Sequence, residues 1–409
     1  MIHRTLVGLR SLAPIVVLNR LSINPVRIPD KNMGLPLQSL RVIDLTQDFA
    51  GPFCTMILSE LGAEVIKIEK PGGGDETRAW GPPFVDGISY YFLSLNRGKK
   101  SVVLDLKTRE GQGVVRKLVV DADIFVESSR PGQMARFNLD YPRLRRLNKA
   151  LVYASISSFG QTGPYRDRLG YDLIAFAMSG IMASTGEKGR PPIRMSVPVA
   201  DIAAGHYAST AILAALSRRL VTGKGDHIDV SLHDSIISWL TYQASYYFAT
   251  GKEPERLGSA HPSIVPYQAF KCKDKDMVLA IGNDHQWTNF CRATGLERLI
   301  TDRKFSSNPA RVKNRLLLIP VLQRMFRRRD AKEWQTIFDQ ANVPAASVLS
   351  IRDIAHDPHV LNRRMIVCSN SKVPRLGSPM RFYRTGQKKI RSAAQLGQHT
   401  REILDSLRP

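Results

Sequence analysis

Cysteine is scarce. Cys54, Cys272, Cys291 and Cys368 are the only four in 409 residues, and no two share a CxxC or other paired spacing. That argues against a disulfide framework and suits a reducing compartment. No His, Cys and carboxylate set has ligand spacing, so no metal is implied. Beyond the N-terminal segment no apolar run reaches the ~18–20 residues that span a bilayer. Aromatic residues, at 8%, are not interleaved with cations in the manner of nucleic-acid platforms. Charge runs such as Arg143-Leu144-Arg145-Arg146 and Arg327-Arg328-Arg329 read as solvated helix faces. Internal repeats, low-complexity tracts and a GxGxxG fingerprint after the first strand are all missing. Acidic residues are short as well: 36 Asp and Glu face 59 Lys and Arg, a formal net charge of +23. Such a surplus calls for an anionic partner, and nucleic acid, phosphorylated cofactors and acidic lipids are all admissible on charge alone.

What is present suits a globular chain of two or three domains, with 43% hydrophobic and 23% charged residues. Residues 1–34 hold five cations and one acid, which leaves +19 on the remainder. Arginines set among Leu, Val and Ser give that segment the character of a mitochondrial presequence, and a matrix location is expected. From Ser39 onward short β-type runs alternate with helical periods. SLRVIDLT, AEVIKIEK, SVVLDL, DIFVES, ALVYASIS and HIDVSL read as strands, with helices expected at 50–61, 109–120, 139–148 and 201–220. Alternation of this kind means an α/β fold with a parallel sheet. The texture changes near residue 231, so 35–230 is assigned to a large domain and 231–342 to a smaller one with its linkers. The segment 343–409 carries renewed strand and helix signals and is expected to return to the large domain.

Parallel sheets bind ligands outside the carboxyl ends of their strands. Two segments stand there: TQDFAGP and Pro71-Gly72-Gly73-Gly74-Asp75, ringed by Lys67, Lys70, Arg78, Arg97, Lys99, Lys100 and Lys107. That cation density favours a phosphorylated ligand; the glycines serve either an anion or a plain turn. Asp201, in VPVADIAAGH, fits a helix N-cap and also a nucleophile that the helix dipole keeps ionised. The alanines and glycine beside it would leave room for a bulky thioester.

Many ordered stretches, among them RVIDLTQDFAGPFCTMILSELGAEVIKIEKPGGGD, NRGKKSVVLDLK, VESSRPG, ASISSFGQTGPYRDRLGYD, ADIAAGHYA, TGKGDHIDV, AHPSIVPYQAF and LGQHT, resemble the family III CoA transferases. The resemblance runs from about residue 38 to 402. It implies a Rossmann-like large domain built from both ends of the chain, a smaller middle domain, and an interlaced homodimer. It also implies that Asp201 is acylated to a mixed anhydride and then carries CoA as a thioester. A glycine loop, Arg256-Leu257-Gly258-Ser259, would cover the site, with Gly258 making the close backbone approach. Carried over residue by residue, CoA is held by Lys70, Leu104, Lys107, Ser128, Arg130, Arg136 and Tyr171. Ser128 departs from the family's usual asparagine, and Asn148-Lys149 from its Asn-Pro. No permanently bound cofactor follows; the CoA thioester is the substrate.

Racemases of the same family use a histidine in an AGHD motif, where this chain has Leu169-Gly170-Tyr171-Asp172. A tyrosine, with a pKa near 10, is a poor second base, and His206 is turned away from Asp201 by its helical spacing. YYFLSLNRGKKS and RLGSAHPSIVPYQAFK look most like the family's mitochondrial succinyl-CoA:glutarate branch. A dicarboxylate would need a cation for its far end, with Arg194 and Arg256 as candidates. The partners expected are therefore acyl-CoA, a dicarboxylic acid and a second copy of the chain, with neither nucleic acid nor a membrane span.

Overall fold

A computed structural model describes residues 34–367, 373–386 and 391–408. The expected presequence and Cys368 lie outside the described residues.

The strands are β1 (Arg41–Leu45), β2 (Glu64–Glu69), β3 (Phe84–Val85), β4 (Ile88–Ser89), β5 (Lys100–Val103), β6 (Ile124–Glu127), β7 (Val152–Ser157) and β8 (His227–Ser231), followed by β9 (Tyr267–Lys271), β10 (Asp276–Ala280), β11 (Ala345–Ser347), β12 (Ile366–Val367) and β13 (Arg375–Leu376). Six of them form one sheet in the order β5-β2-β1-β6-β7-β8, every pair parallel. Counted along the chain, these strands run 3-2-1-4-5-6, the dinucleotide-fold order that reverses direction between β1 and β6.

Both faces of the sheet are covered, so successive residues of a strand enter different cores. Val42 packs with Ile57 and Leu58 of the Ala50–Glu60 helix and with Ala204 and Ile212 of the Val199–Thr222 helix. Its neighbour Ile43 packs on the opposite face with Val115 and Leu118 of the Arg109–Val120 helix. The first helix stops where Gly62 takes φ +117, and the Thr108 hydroxyl caps the third by accepting from Gly111 N–H. Among the described residues one helix, Val199–Thr222, is long and apolar enough to cross a membrane. Its Ala203, Ala208 and Ile212 are wholly buried in the protein core, which accounts for that hydropathy.

A second core lies on the antiparallel sheet β11-β10-β9. Phe270, Trp287, Phe326, Trp334 and Phe338 dominate it. Here the chain departs from expectation: Val343 belongs to this second core, and β11 pairs with β10 instead of joining the large sheet. The chain returns to the large domain further on: Met380 packs against its core, and Ala393 bridges to Arg97 just ahead of β5. His399 N–H then donates to Ser101 C=O, and Thr400 Oγ1 accepts from Val103 N–H at 3.0 Å. This strap covers the open edge of β5, and Ile403 enters the large core behind it.

Candidate active site

At the switch point the loop after β1 meets the loop after β6, and Gln47 N–H joins them by donating to Ser128 Oγ at 2.9 Å. The β1 loop is anchored from below. Asp44, fully buried, accepts from Thr46 N–H at 2.9 Å and from the Thr55 hydroxyl at 2.6 Å. Lys67 Nζ donates to Thr46 C=O at 2.7 Å and pairs with Asp75 at 2.9 Å. Lys99 Nζ contacts Asp44 at 3.2 Å, Pro52 C=O at 2.9 Å and Asn96 Oδ1 at 2.8 Å. Burial opposes the charge on Asp44, yet Lys99 and Lys67 outweigh it and hold the carboxyl below its usual range. Burial prevails at Lys99, which drops to about 8.

Above this anchored loop opens a cavity of about 360 Å³. Asp48, Asp172 and Asp201 line it, and Arg194 is the one cation among its described lining residues. Asp201 lies in the third position of the Val199–Thr222 helix, whose N-cap is Pro198; it is not the cap. Proline offers no side-chain acceptor, so the cap comes from outside: Asp172 Oδ1 accepts from Ala200 N–H at 2.8 Å and Asp201 N–H at 3.4 Å. The expectation that Asp201 stays readily ionised is corrected too. Burial first, then the charges of Asp172 and Asp48, push it well above the carboxylate range. Asp48 rises to about 6 through burial, Asp75 and Glu76. At Asp172 burial is only partly offset by its two backbone donors and Arg194. Burial and the Asp201 charge likewise raise the Tyr91 hydroxyl, which keeps it a neutral donor.

Of the residues proposed to hold CoA, Ser128 and Tyr171 line this cavity with Asp201. Lys70 follows β2, Leu104 and Lys107 follow β5, and Arg130 and Arg136 follow β6. All five thus stand at the carboxyl edge of the sheet, where a nucleotide would lie across it. Arg130 lines a separate recess of about 90 Å³; Lys70 pairs with Glu76 at 3.2 Å. The loop bearing Ser128 and Arg130 is held by Glu127, which accepts from Ser129 N–H at 2.8 Å and which burial pushes up to about 7.

Other expected residues stand elsewhere. Gly258 is not among the residues lining the cavity; its N–H donates to Gly186 C=O at 2.8 Å. Arg256 is engaged with the carbonyls of Ala183 and Arg190, which leaves Arg194 as the cavity's cation. Gly74 has φ +72, and a Cβ there would sit 2.5 Å from Glu69 Oε2, so the triple glycine closes a turn around a carboxylate that Arg78 grips at 2.7 Å. Gly205 leaves no spare room beside Asp201, because a Cβ would lie 2.8 Å from Ala50 C=O of the adjoining helix. His206 is exposed, does not line the cavity, and stacks edgewise on Phe53.

Sequence reasoning missed Asp48, Phe49, Trp80, Tyr91 and Asp172. One signal was available for the first two: TQDFAGP occupies the first strand-to-helix turn, where a nucleotide fingerprint would stand.

A doubly wound sheet with a half-buried carboxyl cluster in a cavity at its switch point defines a ligand-handling α/β protein. Comparison with known proteins narrows this. The pattern of CoA-transferase family III matches residues 37–400, and the chain belongs to that family. It is 41% identical over 373 residues to the mouse (Mus musculus) succinyl-CoA:glutarate CoA-transferase, covering 90% of this chain and 86% of that one. It is 39% identical over 386 residues to succinate–glutarate CoA-transferase of Agrobacterium fabrum, covering 92% and 96%. The crystal structure of a CAIB/BAIF family protein from Brucella suis superposes with a TM-score of 0.84 at 39% identity, covering 92% of this chain and all of that one.

Proposed function

We propose that the chain moves CoA from succinyl-CoA to a dicarboxylic acid such as glutarate, with Asp201 as covalent carrier. The observation that carries this reading is the uncompensated carboxyl of Asp201 in the switch-point cavity, with one arginine on the same wall. Ionised Asp201 attacks the thioester carbonyl; the C–S bond breaks, giving a mixed anhydride and CoA thiolate. The thiolate then attacks the aspartyl carbonyl of the anhydride, expels succinate and leaves an aspartyl-CoA thioester. Glutarate repeats both steps in reverse. Each acylation removes a negative charge that burial, Asp172 and Asp48 make costly, so the cluster raises the ground state relative to the neutral intermediates. Tyr91, a neutral donor beside Asp201, is suited to the oxyanion of the tetrahedral steps. Arg194 suits the distal carboxylate.

The relatives named for succinyl-CoA and glutarate support this substrate pair. A racemase fits less well, since no histidine lines the cavity among the described residues. The basic segment 1–34 supports residence in the mitochondrial matrix. The Tyr242–Thr250 helix buries none of its residues and exposes Phe248 at 81%, which supports a covering second copy in a homodimer.

A panel of carboxylic acids offered against succinyl-CoA tests the reading. Glutarate should be among the acids converted, and Asp201→Asn should lower kcat by about six orders of magnitude, the scale seen when a nucleophile is removed. Unimpaired transfer in that variant defeats the proposal.

A further inference from the structure

The opposite end of the large sheet carries a feature that the proposed chemistry does not use. Three segments lead into β6, β7 and β8 there, and hydrogen bonds tie them together. Asn148 Nδ2 donates to the carbonyls of Val119 at 3.0 Å and Ala122 at 2.7 Å. Arg219 Nη1 reaches Ala150 C=O at 3.2 Å, and its Nη2 pairs with Asp123 at 2.9 Å. Gly225 N–H donates to Lys149 C=O at 2.9 Å. Four aliphatic side chains stand out from this end: Leu220 is 87% exposed, Val221 88%, Val120 52% and Leu147 47%. Around them lie Lys117, Arg145, Arg146, Lys149 and Lys224, all exposed. None of these five enters a described ion pair. Of the nearby acids, Asp226 is held by Arg218, Asp123 by Arg219 and Asp140 by Arg143, so exposed Asp121 alone stands against the surplus.

We propose that this end of the sheet is a docking surface for an anionic lipid bilayer. Unpaired cations draw the protein to acidic headgroups, and aliphatic side chains ringed by such cations are suited to the headgroup boundary. Nucleic acid is a poorer fit: exposed bases seek aromatic faces, and the projecting groups here are aliphatic. A second copy pairing through the same face would set one group of unpaired cations against another. The six-residue β7 separates this surface from the cavity by about 20 Å at ~3.3 Å per residue, so a docked molecule keeps its active-site mouth away from the bilayer.

The test is co-sedimentation of the full chain with vesicles of phosphatidylcholine alone or mixed with phosphatidylglycerol. Binding is expected only to the mixed vesicles and should fade as salt rises. Reversing Arg145, Arg146 and Lys149 to Glu should weaken binding at least about tenfold, given the attraction each cation contributes. Leu220→Ser with Val221→Ser should weaken it as well, with CoA transfer retained in both variants. Absence of binding to mixed vesicles at low salt, or binding unchanged in the charge-reversed protein, overturns the proposal. So does a change of oligomeric mass in either variant, which would assign the face to a second copy of the chain.

Discussion

Two groups of carboxylates lie one above the other at the end of β1, and they differ in their company. Asp44 and Asp75 are buried against Lys67 and Lys99, with every lysine bonded to oxygen. Asp48, Asp172 and Asp201 converge on the cavity, where Arg194 is the one cation among the described lining residues. The lower group is held below the carboxylate range, the upper group above it. Burial acts in the same direction on both, so the neighbouring charges decide the outcome. The paired group fixes a loop, and the unpaired group favours loss of charge, by protonation or, in the mechanism proposed above, by acylation of Asp201.

The sharpest way to break this contrast is to unpair the lower group. Lys67→Met leaves Asp44 and Asp75 short of a buried partner and should cost about 3–5 kcal/mol of stability, read by urea denaturation. Asp201→Asn should not destabilise the fold in the same assay, because it relieves repulsion. A smaller effect is expected at Arg194: changing it to Ala should raise KM for glutarate roughly tenfold, in keeping with loss of one charged hydrogen-bonding group, and leave a monocarboxylate acceptor unaffected.

The smallest effect concerns pH. Asp48 adds to the charge that raises Asp201, so Asp48→Asn should move the acid limb of the kcat/KM profile to lower pH. Stability has the opposite dependence from an ion-paired carboxylate. With Asp48 near 6 in the folded chain against about 3.9 for a free aspartate, the native state binds more protons across that window. Its contribution is present at the acid end and lost as pH rises toward 6. Asp48→Asn should flatten that slope in pH-dependent thermal melts.

The fold was readable because its signals are local. Val42 and Ile43 are wholly buried on opposite faces of one strand, which writes a continuous apolar run into the sequence, and Gly62 ends its helix where a glycine would be expected. The site was readable only in part. Asp201 stood out as a carboxylate among small residues, but Pro198 starts its helix earlier than the sequence suggested. Its two acidic neighbours arrive from the turn after β1 and from the start of the Asp172–Met178 helix, and no spacing announces such a meeting. The glycine run left an anion site and a plain turn both open, and no spacing could show that Gly74 makes way for Glu69, a contact set by folding the loop back on its own strand. β11 was misplaced because three residues of Ala-Ala-Ser carry no label for the sheet they join.

The central claim is that the Asp201 carboxyl itself becomes the acyl carrier. Incubation with succinyl-CoA, quenching with hydroxylamine and peptide mass spectrometry address it directly. The account predicts a hydroxamate on Asp201 that is lost when glutarate and succinate are added in excess; a peptide that stays unmodified while CoA transfer proceeds would contradict it.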